Sequence, residues 1–404
     1  MKYIVILADG MADNKIEELG NKTPLQYAKT PNIDFLAQHA AVGRVATIPD
    51  GFPPGSDVAN LSVMGYDPRQ YYTGRSPLEA VSMGVELENG DLALRCNLVT
   101  LSDDEEYQNK IMLDYSAGEI SSPEAADLIS ALQDKLGNET FSFHPGISYR
   151  HLVVWKNGID KELLLTPPHD ISDRRVGNFL PQGENSTDLL NLMTQSEEIL
   201  KNHPVNISRE KRGCKPANSI WLWGEGIKPS LPSFQQKYNL KGAVIAAVDL
   251  VKGLGMCAGL VPVSVEGATG SIKTNFAGKA KAALEQLKKG RDFVYLHIES
   301  PDEAGHQGSL ESKIWSIEQI DREVVGLVIS EMHQFEDFKI LLLPDHPTPL
   351  STRTHSRDPV PFMIYDKKNP VKNGVGLYDE FSAAEGMFVK NGYKLMDYFI
   401  TGTL

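Results

Sequence analysis

The chain has 404 residues, 41% of them hydrophobic and 23% charged, with three cysteines and a formal net charge of -13. That composition belongs to a globular protein with more core than one average domain needs, and it excludes disordered and fibrous classes. The acidic balance argues against a nucleic-acid or anionic-membrane partner, either of which needs a basic face to displace counterions, and leaves room only for a local basic pocket around a small anion.

Tyr3 to Ala8 is a continuous apolar run closed by Asp9-Gly10, the pattern of a buried parallel strand whose C-terminal end carries a polar group. In an open α/β sheet that end faces the ligand, although a turn residue before glycine is the plainer role for Asp9. The run is too short for a signal-peptide core, and the weakly polar stretch Gly242 to Val265 is broken by Asp249 and Lys252, so it is no membrane span. Cys96, Cys214 and Cys257 are widely separated and read as reduced thiols of a cytoplasmic protein. Thr30 as cap and Pro31 as first helical residue open a helix through His39. Gly51 to Asp57, GFPPGSD, is a loop ahead of helical spacing at Val58, Leu61 and Met64, which puts Ser56 at the N-cap. A serine there caps the helix, and a helix N-terminus also stabilises a phosphate through its free amides. Arg75 in YYTGRSPLEAVSM either pairs with a carboxylate or binds an anion.

From Gly84 the texture changes. Leu92 to Val99 alternates as a strand, Ser122 to Leu136 is an amphipathic helix entered through Ser122 and Pro123, and Ile147 to Trp155 is a second strand. Arg150, His151, His169 and Asp170 are polar residues at strand ends of this stretch. The expected organisation is a core of residues 1–83 and 186–404, with a small α+β unit, 84–185, inserted into it. After Ser186 the α/β rhythm resumes with a helix from Thr187 to Lys201, strands at Ser219 to Trp223 and Gly242 to Val248, a helix from Ala277 to Lys289, and a strand at Phe293 to His297. The stretch GATGSIKT fails the spacing of a nucleotide-binding loop. In IESPDEAGHQG, Asp302 and His306 stand four apart and share a face if helical. A long amphipathic helix, Leu310 to Met332, precedes LLLPDHPTPLSTRTHSRDPVP, where an apolar run ends in Asp345 and His346 and a further histidine, His355, stands nine positions on. A strand at Val360 to Tyr365 and a helix over Phe381 to Phe399 complete an α/β protein with a mainly parallel sheet flanked by helices.

Carboxylate and imidazole together suit Zn or Mn better than Ca, which wants oxygen alone. Asp9, Ser56, Asp302, His306, Asp345, His346 and His355 all fall at the ends of expected parallel strands or at a helix start, positions that converge on one edge of such a sheet. Together they would furnish two adjacent divalent metals that hold the attacking and leaving oxygens of an in-line displacement and deprotonate a serine. The reaction class is phosphoryl transfer through a phosphoserine.

These residues carry a resemblance that spans nearly the whole chain: ILADG at Ile6, TPLQYAKTPNID at Thr23, PGSDVANLSVMGYDP at Pro54, YYTGRSPLEA at Tyr71, KPAN at Lys215, GATG at Gly267, PDEAGH at Pro301, then PDHPTP and HSRDPVP. The sequence resembles the archaeal type of cofactor-independent phosphoglycerate mutase, within the alkaline phosphatase superfamily. The resemblance implies an alkaline phosphatase-like core and two divalent metal ions, Mn, Zn or Mg. One metal falls to Asp302, His306 and His355, the other to Asp9, Ser56, Asp345 and His346, with Ser56 as the phosphorylated nucleophile and Arg150 and Asp170 as further catalytic groups. Arg75, Asp114, Glu119, His151 and His169 are the candidate substrate residues.

One stretch departs from the family pattern. Where the mutases carry DRRAGRI this chain reads DYSAGEI, Asp114 to Ile120, with Tyr115, Ser116 and Glu119 at the three arginine positions. Each charge-assisted contact contributes on the order of 1.5 to 3 kcal/mol, so a trianionic substrate would be held far more weakly. This resembles a bacterial branch of the family proposed to act as homoserine kinases, and an ammonium-bearing substrate would explain Asp114 and Glu119. The mutase reading stands first because the catalytic motifs and the overall match point to it. A homoserine kinase-like phosphotransferase using ATP is the alternative, and a metal-dependent phosphomonoesterase the second. Expected partners are a small phosphorylated metabolite or an amino acid, with no nucleic acid and no membrane.

Overall fold

The computed structural model describes residues 1–158, 163–371 and 374–403. The chain forms two compact units, Met1–Tyr72 with Ser230–Leu404, and Thr73–Pro229.

In the larger unit an eight-stranded sheet runs in the order Val261–Pro262, Gly242–Ile245, Phe293–Ile298, Lys2–Ala8, Phe338–Leu343, Val360–Asp366, Ala41–Val45, Met387–Val389. Lys2–Ala8 lies between Phe293–Ile298 and Phe338–Leu343 and is parallel to both. Its residues Ile4 to Ala8 are fully buried, which is why the run is continuous rather than alternating. One face is covered by Ile33 and Leu36 of the Pro31–Ala37 helix, Ala280 and Leu284 of Phe276–Lys288, and Ile317, Val324 and Val328 further on. Beyond the parallel strands Val360–Asp366 runs antiparallel to Phe338–Leu343.

The helix expected over Leu310 to Met332 is α-helical over Leu310–Gln319, widens to a π-helical turn over Ile320–Val325, and resumes as Gly326–Met332. Within the wide turn Asp321 accepts hydrogen bonds from Ile33 N (2.8 Å) and Asn32 Nδ2 (2.9 Å). Asp321 thereby satisfies a free amide in the first turn of the Pro31–Ala37 helix, whereas the Thr30 side chain, expected to do so, makes no capping bond.

In the smaller unit the Leu92–Leu101 strand pairs antiparallel with Arg150–Trp155 on one side and Ser219–Ile227 on the other. This unit extends beyond the expected 84–185 at both ends. Ala80 of the Ser76–Ser82 helix packs with Ala93, Leu152 and Val154, and Leu189, Leu192 and Met193 of the Ser186–Leu200 helix share a core with Leu94, Ile129 and Trp221. A helical pattern in sequence states that a face is apolar, not which sheet receives it. Among the described residues no helix is long and apolar enough to cross a membrane.

Candidate active site

The adjoining strand ends of the larger unit gather the candidate ligands. Ala8 pairs with Ile298 and Leu7 with Leu343, so Asp9, the Ser300–Gln307 helix and Asp345 all leave the sheet at the same level. Gly10 makes this possible: its φ is +63°, and a Cβ there would lie 2.6 Å from the Asp302 backbone. Asp9, Asp345 and His346 present ligand atoms within 4.8 Å of one another, and so do Asp302, His346 and His355. His306, four residues after Asp302 on the same helix, brings its Nε2 to 3.3 Å from Asp302 Oδ2 and 2.9 Å from His355 Nε2. His346 therefore belongs to both groups, and its ring stacks on His355 at 3.9 Å. Ser56 Oγ lies 3.0 Å from His346 Nε2. Ser56 is the first residue of the Ser56–Val63 helix and not its N-cap, a position that Gly55 takes, so its hydroxyl faces His346 across the strand ends.

Burial and the carboxylates of Asp345 and Asp302 push Asp9 well above the usual carboxylate range, and its Oδ1 is buried with no hydrogen-bond partner. Burial disfavours the charge on Asp302 too, but hydrogen bonds from His306 and His355 hold it well below that range; His306 in turn is raised to about 9 by Asp302. Burial lowers His346, keeping the neutral imidazole that a metal requires. Converging buried carboxylates with an unpartnered oxygen, beside the neutral imidazole of His346, fit a divalent cation in both charge and donor type.

Further side chains hold these residues from behind. Asn60 donates from Nδ2 to Asp345 Oδ2 (2.9 Å) and to Ser56 O (2.8 Å), and Tyr295 donates to Asn60 Oδ1 (2.7 Å). Thr348 donates to Asp302 Oδ1 (2.5 Å), with His346 Nδ1 3.3 Å from the same hydroxyl. His297 sits between Asp9 Oδ2 (3.3 Å) and Glu299 Oε1 (3.2 Å), although the angles fall short of hydrogen bonds. Asn60 stands one helical turn after Ser56, a signal available in the sequence, and His297 interrupts an otherwise apolar strand. Nothing local singles out Thr348.

The remaining candidates lie in the smaller unit. Arg75 pairs with Glu79 (3.0 Å), which also binds the buried Arg95 (3.1 Å). Arg95 lies over the Trp223 ring, His169 meets Trp223 and Tyr115 edge-on, and Arg150 lies over Tyr149. A patch of cations and rings thus gathers Arg75, Arg150 and His169, with Asp170 3.7 Å from His169. Burial opposes charge on Asp114, but Lys215 (2.7 Å) and Ser116 (2.8 Å) hold it below the usual range. Glu119 is exposed, at φ +52° in the same turn.

His151 is not on this surface. It is 3% exposed, its Nδ1 accepts from Gly146 N (3.0 Å), and burial pushes its pKa down to about 3. Below about pH 6.5 the unfolded chain takes up a proton at this residue that the folded chain refuses until about pH 3, so stability present above 6.5 is lost as pH falls through that window. The loss is on the order of 3 to 5 kcal/mol, and His151→Asn is expected to remove that part of the pH dependence. Urea unfolding of both proteins between pH 7 and 4 measures it; parallel curves would contradict a neutral buried His151.

Fold and site define an α/β protein in which a serine on a helix N-terminus faces two adjoining carboxylate–imidazole groups. Residues 37–206 match the family model of 2,3-bisphosphoglycerate-independent phosphoglycerate mutase. A relative from Geobacter sulfurreducens, named a probable 2,3-bisphosphoglycerate-independent phosphoglycerate mutase, is 52% identical over 99% of this chain and all of its own. The enzyme so named from Methanothrix thermoacetophila is 50% identical over the full length of both chains. Among solved structures, a protein of Pyrococcus horikoshii superposes with a TM-score of 0.82 at 30% identity, covering 99% of this chain and 96% of its own. The cofactor-independent phosphoglycerate mutase of Thermoplasma acidophilum does so with 0.65 at 28%, covering 99% of each. The chain belongs to the 2,3-bisphosphoglycerate-independent phosphoglycerate mutase family. Homoserine and ATP, suggested by the Asp114 to Ile120 stretch, find no support in these relatives.

Proposed function

We propose that this chain is a metal-dependent phosphoglycerate mutase that interconverts 2-phosphoglycerate and 3-phosphoglycerate through a phosphoserine at Ser56. The observation that carries the reading is the Ser56 hydroxyl, 3.0 Å from His346 and adjoining both ligand groups, in a chain whose full-length relatives bear that name. Ser56 Oγ bonds to phosphorus as the ester bond to glycerate breaks, and the other glycerate hydroxyl then takes the phosphoryl group back. The amides of the Ser56–Val63 helix N-terminus favour the phosphate oxygens. Asp302, His306 and His355 would hold one divalent ion, and Asp9, Ser56, Asp345 and His346 a second, with His346 within reach of either. Mn, Zn or Mg there would supply positive charge that lowers the serine pKa and neutralises phosphoryl oxygens. Arg75 and Arg150 are the candidates for the substrate's anionic groups, and His169, Asp170, Asp114 and Glu119 line the polar surface around them. The absence of a disulfide among Cys96, Cys214 and Cys257 in the described residues accords with a reducing compartment such as the cytoplasm.

Protein stripped of metal and reloaded with Mn, given 3-phosphoglycerate without added bisphosphoglycerate, is expected to form 2-phosphoglycerate and no free phosphate. The same preparation given homoserine and ATP is expected to form no homoserine phosphate. Phosphorus NMR reads both. Homoserine phosphate without mutase turnover would overturn the reading in favour of a kinase, and phosphate release without transfer in favour of a phosphomonoesterase.

A further inference from the structure

We propose that Lys313 is a positioning residue for the metal centre, a buried clamp that ties together three of the four segments bearing the candidate ligands, those of Asp9, Asp302 and Asp345. The inference rests on the metal-site reading given above. Lys313 lies on the Leu310–Gln319 helix, directly after the Ser300–Gln307 helix of Asp302 and His306, and its side chain is fully buried. Its ammonium has three donors and three acceptors: Asp13 Oδ2 (2.7 Å), Thr348 O (2.7 Å) and Ala12 O (3.3 Å). Ala12 and Asp13 belong to the loop that begins at Asp9, and Thr348 to the loop that begins at Asp345. Asp13 closes the link from its own side by accepting from Leu350 N (3.2 Å).

The clamp continues to the ligands themselves. Thr348, held through its carbonyl by Lys313, gives its hydroxyl hydrogen to Asp302 Oδ1. Thr348 Oγ1 itself lies 3.3 Å from His346 Nδ1 and can accept its hydrogen, which leaves the Nε2 lone pair for the side facing Ser56 and Asp345. Gly305 allows this approach, since a Cβ there would lie 2.6 Å from Thr348 O. A buried ion pair contributes little net stability compared with an apolar pair of the same size, so stability alone does not account for the Lys313–Asp13 pair.

The full-length protein, stripped with chelator, is titrated with Mn by calorimetry while circular dichroism follows unfolding. Wild type should bind Mn; failure to do so removes the metal-site reading itself, and the clamp with it. Given wild-type binding, Lys313→Met is expected to weaken Mn affinity about 10- to 100-fold, as loss of outer-shell partners does. Lys313→Met combined with Asp13→Asn leaves no unbalanced charge and keeps an acceptor for Leu350 N; it is expected to regain thermal stability but not Mn affinity. Mn affinity within about twofold of wild type in either folded variant overturns the proposal, because a merely structural lysine would move the melting curve alone. Should neither variant fold, Thr348→Val unbalances no charge and removes only the last link. A tenfold or greater loss of Mn affinity is expected, and an unchanged affinity sinks the clamp.

Discussion

Ser56→Ala is expected to lower phosphoryl transfer on the order of 10⁴-fold or more while leaving metal content and fold intact. The expectation is sharp because of where the residue sits. An N-cap serine would couple loss of the nucleophile to about 0.5 to 2 kcal/mol of lost helix stability. Ser56 is instead the first helical residue, Gly55 holds the cap, and alanine is a good helix former, so the variant should melt close to wild type. Asn60 bonds the Ser56 carbonyl rather than its hydroxyl and continues to hold Asp345. Turnover of 3-phosphoglycerate, metal per chain and the melting temperature are measured together. Appreciable transfer by the variant would sink the covalent mechanism, and loss of metal would make Ser56 chiefly a ligand.

His346→Ala is expected to abolish transfer to a similar degree but for a different reason: it should also lose at least one metal ion per chain. His346 is the residue common to both ligand groups, it faces Ser56, and its ring is stacked on His355. Its complete burial adds a stability cost of about 1 to 3 kcal/mol for the cavity left behind. Metal analysis after dialysis separates the two variants, since Ser56→Ala should retain what His346→Ala releases. A full metal complement in His346→Ala would remove this residue from the ligand sets and leave it as a partner of the serine alone.

Asp9 and Asp345 were legible because a strand buried on both faces must be continuously apolar, so the first carboxylate after it marks the sheet edge where ligands bind. Asp302 and His306 were legible from helical spacing alone. His151, a candidate substrate residue from its place at a strand end, is instead buried, because a strand end carries no sign of which way a ring points, and here it turns inward to Gly146. The cap on the Pro31–Ala37 helix was assigned to Thr30 because local motifs are all a sequence displays, while Asp321 arrives from nearly three hundred positions away. The Ser186–Leu200 helix was placed with the wrong unit for the same reason: its apolar stripe is complete in the sequence, but its receiving surface is not.

The substrate inference drawn from DYSAGEI shows the same limit in the chemistry. Counting three missing arginines treats a motif as a closed site, whereas the smaller unit gathers Arg75, Arg95 and Arg150 from three separate elements around Glu79, Trp223 and Tyr149. The sequence by itself determined the α/β class and displayed the candidate ligands and Ser56, because each is written in short-range pattern: burial period, turn residue, helical spacing. Only the tertiary structure decided that His346 adjoins both ligand groups, that Thr348 and Lys313 stand behind them, and that Ser56 is free of its helix cap. Those are relations between segments brought together by sheet register and packing, and neighbouring positions in the chain carry no record of them.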